Sequence, residues 1–168
     1  MRVSVTVSLV VAAMLAACSQ PSAPASSSSG AASTESAAPA AALTPAQTKA
    51  LMATLPADYQ SADLANGQAK FAICKSCHNT AKGSGDMTGP NLYGVFGRKA
   101  GSETGFAYSD GMKALNVTWD ADSINKWISN PKAMIPATKM TYIGMDNPKD
   151  RIDVIAYLKT VTSDAPTS

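Results

Sequence analysis

Cys74 and Cys77 are separated by two residues, and His78 follows the second directly. Two thiols and an imidazole in this order can hold a porphyrin by its edge and by its iron. The thiols add across the two vinyl groups as thioethers, and the imidazole supplies the proximal nitrogen. Other readings of the pair lack partners. A tetrahedral zinc site needs four nitrogen or sulfur ligands, whereas the chain holds three cysteines and one histidine, with the third cysteine at position 18. A redox dithiol of the thioredoxin kind wants a βαβ surround, which this sequence does not offer. The pattern implies one covalently attached haem.

A haem iron with one histidine leaves its opposite face to be filled, and no second histidine exists. Methionine is the next candidate. Five stand in the second half of the chain: Met87, Met112, Met134, Met140 and Met145. Each is also a ready core filler. Met140 is favoured by its setting, Ile135-Pro136-Ala137-Thr138-Lys139-Met140, a non-helical run able to lay a thioether against the iron.

These side chains need helices to position them. Leu64, Phe71 and Ile73 among small and polar residues predict a helix that starts near Ser61 and runs into the attachment loop. Gly67 inside it costs about 1 kcal/mol of helix propensity, so it is best explained by the close approach of another backbone. Glycine-rich sequence from Lys82 to Gly105 reads as a long loop, which a compact domain tolerates when it wraps a cofactor that supplies the core. Thr118-Trp119-Asp120-Ala121 opens another helix, with Ile124, Trp127 and Ile128 on one face and Asn130-Pro131 as its stop. The last helix has Asn147 as cap, Pro148 at its first position and Asp150 in its first turn, with Ile152, Ile155 and Leu158 as its apolar stripe. The expected class is all-α, with N- and C-terminal helices, a middle helix and long loops around one haem.

The N-terminal third has another character. Residues 1–17 carry Arg2 and an apolar run, the plan of a secretory signal. Leu15-Ala16-Ala17-Cys18 resembles the bacterial lipobox, in which the cysteine is lipidated and becomes the mature N-terminus. Residues 18–42 then form a tether, almost wholly Ser, Ala and Pro and unable to bury a core. Residues 43–56 predict a short stalk helix, capped by Thr44, with Pro45 at its first position and Pro56 beyond its end. The haem domain spans 57–163, and 164–168 is a tail. With a net charge of +2 and a pI near 8.4, the chain lacks the basic surface that nucleic acid would demand.

Further separated motifs complete a pattern. After the attachment motif come Thr88-Gly89-Pro90-Asn91-Leu92, Gly94-Val95-Phe96-Gly97-Arg98-Lys99, Gly105-Phe106-Ala107-Tyr108-Ser109-Asp110, Thr118-Trp119, Asn130-Pro131-Lys132, Pro136-Ala137-Thr138-Lys139-Met140 and Ile155-Ala156-Tyr157-Leu158-Lys159. In these the chain resembles a class I cytochrome c of the mitochondrial and α-proteobacterial type, over about residues 61–161. The resemblance implies that Met140 is the sixth ligand beside His78, and that the Pro90 carbonyl accepts a hydrogen bond from the His78 ring. It implies that Arg98, Tyr108 and Trp119 hold or balance the buried propionates. Two departures stand out: Trp127 replaces the usual tyrosine near the methionine sulfur, and Met112 replaces an asparagine. Both make the distal side drier, with Thr138 remaining as a polar group.

The function so implied is electron transfer without bond chemistry: a monomeric, membrane-tethered periplasmic shuttle, taking electrons from a cytochrome bc complex and passing them to an oxidase. Lys75, Lys82, Lys99, Lys132 and Lys139 are placed to dock partners at the haem edge, a thinner ring than in mitochondrial relatives, since Asp146 and Asn147 stand where those carry lysine. Two rivals differ in class. One is a haem enzyme or gas sensor with a labile sixth position, and the other is a haem module of a larger oxidase or dehydrogenase.

Overall fold

The computed structural model describes residues 42–166. The signal segment, Cys18 and all of the tether but its last residue lie outside the described residues.

Among the described residues seven helices follow in order: α1 Pro45–Met52, α2 Ala57–Gln60, α3 Leu64–Lys75, α4 Asp110–Ala114, α5 Ala121–Ser129, α6 Pro131–Met134 and α7 Pro148–Thr162. Among the described residues there is no strand, and one isolated antiparallel bridge pairs Lys99 with Thr118. The fold is all-α.

Capping side chains set the boundaries. The Thr44 hydroxyl accepts from the Gln47 N–H at 3.2 Å, while the Gln47 side chain accepts from the Thr44 N–H at 2.9 Å, a reciprocal cap that starts α1 at Pro45. α3 begins three residues later than the expected start at Ser61, because the Asp63 carboxylate accepts from Ala65 and Asn66 N–H and is the true cap. α7 starts as expected, with Asn147 accepting from Lys149 N–H at 2.9 Å. Asn130-Pro131 does end α5, but Asn130 then caps a new turn with Pro131 at its first position, so a short α6 follows where only a stop was expected. α2 and α4 are too short to carry an apolar period, and neither was anticipated.

The core lies where α3 crosses α7. A side chain at Gly67 would run into the Asp153 backbone and the Tyr157 β-carbon, so glycine is what lets the two helices touch. Phe71 closes the crossing with its ring centroid 5.6 Å from that of Tyr157. Phe71, Val154, Ile155, Ala156 and Leu158 are buried here, joined by Trp119, Ile124 and Trp127 from the α5 side. Each fully buried large apolar side chain stabilises the fold by about 1.5–3 kcal/mol.

The expected stalk is part of this body. α1 and α2 pack on α7, and Met52, Leu55 and Tyr59 are buried in the same core. Between α3 and α4 the chain runs through residues 76–109 without a helix, turning at Gly94 and Gly97, whose φ angles of 68° and 86° suit glycine. This segment and the one between α6 and α7 carry most of the residues expected to meet a haem.

Candidate haem site

The attachment residues sit where α3 unwinds. Cys77 N–H and His78 N–H both return to the Cys74 carbonyl, at 3.1 and 3.0 Å, so the helical turn continues just far enough to present both thiols. Both cysteines are unpaired and half-buried. Burial pushes the Cys74 thiol up to about 11, with the neighbouring Cys77 adding to the effect.

His78 is fixed by the glycine-proline pair facing it. A β-carbon at Gly89 would stand 2.3 Å from the ring Cε1, so only glycine lets this backbone lie against the imidazole. The ring Nδ1 lies 2.7 Å from the Pro90 carbonyl oxygen. A carbonyl only accepts, so Nδ1 carries the proton and Nε2 keeps its lone pair, the form in which an imidazole binds metal. Burial lowers the His78 pKa, the Pro90 carbonyl opposes this, and Arg98 lowers it further. The ring is therefore neutral at neutral pH.

Asn91, buried next to Pro90, ties the loop together. Its amide donates to the Ala81 and Ser84 carbonyls at 2.9 and 2.6 Å, its side-chain oxygen accepts from Tyr93 N–H at 2.8 Å, and its own N–H donates to Asp86 at 2.7 Å. Gly89 N–H to the Cys77 carbonyl at 2.8 Å and Leu92 N–H to the Asn79 carbonyl at 2.8 Å complete the clasp around His78. The Gly89-Pro90-Asn91-Leu92 run is thus a preformed wall for one imidazole.

Arg98 donates through Nη2 to the Asn91 carbonyl at 2.8 Å and through Nη1 to the Tyr93 carbonyl at 3.3 Å. Nη1 also pairs with the Glu103 carboxylate. Trp119 joins this region through its backbone: its N–H donates to the Arg98 carbonyl at 2.9 Å, and its carbonyl accepts from Gly97 N–H at 2.7 Å. Burial raises the Tyr108 pKa; Arg98 and a Glu103 backbone hydrogen bond oppose this, and the Glu103 and Asp86 charges add to it. Arg98, Tyr108 and Trp119 are brought together, with Glu103 as an acidic member. Sequence reading missed Glu103, whose only signal was an unpaired acid five residues after Arg98.

On the other side, the Thr138 hydroxyl accepts from Met140 N–H at 3.1 Å and holds that backbone turn. Met140 is half-buried against the core. The chain beyond it is pinned to α5, with Met145 N–H donating to the Ile128 carbonyl at 2.9 Å. A side chain at Gly144 would collide with the Ser129 carbonyl. Trp127 is buried with its ring centroid 5.9 Å from that of Trp119, and Met112 is buried on α4. Burial raises the Tyr142 phenol, with Cys74 and Asp146 adding to the shift. His78 and Met140 belong to separate segments and make no hydrogen bond with each other.

This donor set fits a haem. Among the described residues no three His, Cys, Asp or Glu side chains gather to hold a bare metal ion. What the fold does present is two unpaired thiols, one neutral imidazole with Nε2 free, and a glycine cradle under the ring. The lysines expected to dock partners differ in state. Lys75, Lys99 and Lys132 are exposed, Lys139 donates to the Ala107 carbonyl at 2.8 Å, and Lys82 is matched by Asp164 at 2.8 Å.

Comparison with known proteins agrees with this geometry. Residues 64–162 match the Cytochrome c family. The cytochrome c2 of Rhodomicrobium vannielii is 45% identical over 102 residues, covering 61% of this chain and 82% of that protein. The cytochrome c of Chlamydomonas reinhardtii is 43% identical over 108 residues, 64% of this chain and 96% of that protein. Among solved structures, cytochrome cH from Methylobacterium extorquens aligns with a TM-score of 0.55 and 44% identity, covering 58% of this chain and 98% of that one. With the thiols, the imidazole and its proline partner in place, the chain belongs to the cytochrome c family and is a class I c-type cytochrome with one covalently attached haem.

Proposed function

We propose that this electron carrier works as a membrane-tethered shuttle on the periplasmic side of a bacterial envelope. It moves single electrons from a cytochrome bc complex to a terminal oxidase or reductase. In this reading His78 and Met140 would hold the iron, and Cys74 and Cys77 would carry the thioether links. When bound, the haem supplies a one-electron Fe(II)/Fe(III) couple, and His/Met ligation raises its potential relative to ligation without methionine. The protein holds the imidazole neutral and oriented, and Arg98, Tyr108 and Trp119 would face the propionates, with Glu103 offsetting part of the Arg98 charge.

The observation that carries the reading is the His78 Nδ1 contact with the Pro90 carbonyl. It orients the ring with Nε2 as the metal-binding nitrogen and leaves that nitrogen no proton to shuttle. With a methionine filling the other side, no coordination position is left for a substrate. The enzyme or sensor alternative needs such a position.

The tether rests on the lipobox-like Leu15-Ala16-Ala17-Cys18 and the low-complexity residues behind it. Holding a carrier near its membrane partners raises its effective concentration to as much as about the millimolar range, so a weak docking face suffices. Lys75, Lys99, Lys132 and Lys139 are exposed and would supply the charge of that face, and Ile143, which is 89% exposed, would supply an apolar contact. Lys82 adds little, since Asp164 neutralises it.

Changing Cys18→Ala behind an ordinary signal peptide tests the tether. The expected product is soluble and fully haem-loaded, with transfer to the oxidase lost in washed membranes. A Cys18 variant that stays on washed membranes would refute tethering through this cysteine.

A further inference from the structure

Tyr59 lies in α2, ahead of the 64–162 span that matches the family, yet it is 3% exposed and sits at the head of a continuous set of hydrogen bonds. Its hydroxyl donates to Asp122 Oδ1 at 3.1 Å and accepts from Asn125 Nδ2 at 3.0 Å. The Asn125 Oδ1 in turn accepts from Arg151 Nε at 2.6 Å. Arg151 then reaches through Nη1 to two carbonyls of the segment that carries Met140, those of Met145 at 2.6 Å and Asp146 at 2.8 Å.

The direction of these bonds makes the tyrosine specific. An asparagine amide offers an oxygen at one side and an NH2 at the other. Only the oxygen suits Arg151, which has donors and no acceptor. The Tyr59 hydroxyl gives its proton to Asp122, so it offers Asn125 a lone pair and fixes the NH2 end away from the guanidinium. Remove the hydroxyl and the half-buried NH2 loses its partner, while the amide becomes free to turn a donor toward Arg151. The grip on the Met145 and Asp146 carbonyls then slackens.

We infer that Tyr59, acting through Asn125 and Arg151, is a positioning residue that holds the 140–147 segment closed, and so keeps Met140 on the iron. The N-terminal extension is therefore a brace for the sixth ligand as well as the start of a tether. The inference rests on Met140 being that ligand. An external ligand reaches the iron only in the open form of the segment, so its apparent affinity scales with the fraction open. Losing one net hydrogen bond raises that fraction by about three- to tenfold.

Imidazole titration of the ferric holoprotein, followed in the Soret band, reads this fraction. Tyr59→Phe and Asn125→Leu should each strengthen apparent imidazole binding by about three- to tenfold, and the double variant should show little beyond the larger single effect, because both break one relay. Leu51→Ala, a buried α1 change outside the relay, should lower the melting temperature without strengthening imidazole binding. Asn125→Leu keeps the test open should Tyr59→Phe fail to fold. Unchanged imidazole affinity in the relay variants, or an equal gain in Leu51→Ala, overturns the inference. Met140→Ala separates the two levels. If it abolishes the near-infrared Met–Fe(III) band while the relay variants bind imidazole like the wild type, the relay alone is wrong; if the band survives, the ligand assignment is wrong.

Discussion

A β-carbon at position 67 would stand 2.1 Å from the carbonyl oxygen of Asp153, so the backbones of α3 and α7 touch at Gly67 with no room for any side chain. The contact fixes the crossing that leads α3 to Cys74. It also sets Asp153 at the centre of the same interface, and both residues give tests.

Gly67→Ala must push the helices apart. Alanine is the better helix former by about 1 kcal/mol, but a contact this short with backbone cannot relax through a rotamer. Overpacking of this kind costs typically about 1–3 kcal/mol, and here backbone itself must move. Thermal unfolding of the holoprotein should show a net loss, and a variant as stable as the wild type would mean that the helices do not meet at this glycine.

Asp153 is 1% exposed. Burial pushes its carboxyl up, but Lys149 at 2.7 Å, Asn66 at 2.7 Å and the Asp63 N–H at 2.9 Å together outweigh this and hold it below the ordinary carboxylate range. A depressed folded pKa adds stability that is full above the unfolded value, near about 3.9, and disappears as pH falls through the lower folded value. Asp153→Asn should therefore cost about 1–3 kcal/mol at pH 7. Denaturant titrations should show the gap to wild type closing below about pH 4; a gap independent of pH would show that charge plays no part.

Local signals and long-range ones differed in how far they could be read. The α7 cap at Asn147 and the meaning of Gly67 were legible because each is a local rule: an amide that accepts from the first turn, or a missing side chain where backbones meet. The attachment motif was legible for the same reason, since its chemistry lies within five consecutive residues. Asp63, the true cap of α3, and Ser61 are both good capping residues, and only the structure shows which side chain turns back onto the helix. Glu103 and Tyr59 were illegible for another reason. Each acts through a partner that the fold alone brings near, and neither Glu103 with Arg98 nor Tyr59 with Asn125 leaves a periodic trace. The burial of the stalk was legible in Leu51, Met52 and Leu55, an apolar face that calls for packing on the domain.

Glu103 yields a third prediction. Its pairing with Arg98 cancels the positive charge expected to balance a propionate. A negative charge near the iron favours the ferric state, so Glu103→Gln should raise the midpoint potential and Arg98→Gln should lower it, each by roughly 20–60 mV. Spectroelectrochemical titration reads both. A fall in potential on Glu103→Gln would place the carboxylate outside this charge balance.

Docking gives a fourth. Transfer to an acidic partner should slow with added salt, as the Debye length falls from about 30 Å at 0.01 M to about 8 Å at 0.15 M. Lys132→Glu and Lys139→Glu should slow it further and by more than Lys49→Glu on α1, as stopped-flow kinetics at low salt would report. Equal effects at the three positions would dissolve the idea of a docking face at the haem edge.

The central claim is that both axial positions are filled by the protein, by His78 and Met140. The near-infrared spectrum of the ferric holoprotein tests it most directly. The wild type should show the Met–Fe(III) band, unchanged by nitric oxide or peroxide, while Met140→Ala should keep its haem through Cys74 and Cys77, lose the band, drop in potential and bind carbon monoxide when reduced. A wild type without the band, or a Met140→Ala variant that retains it, would contradict the account.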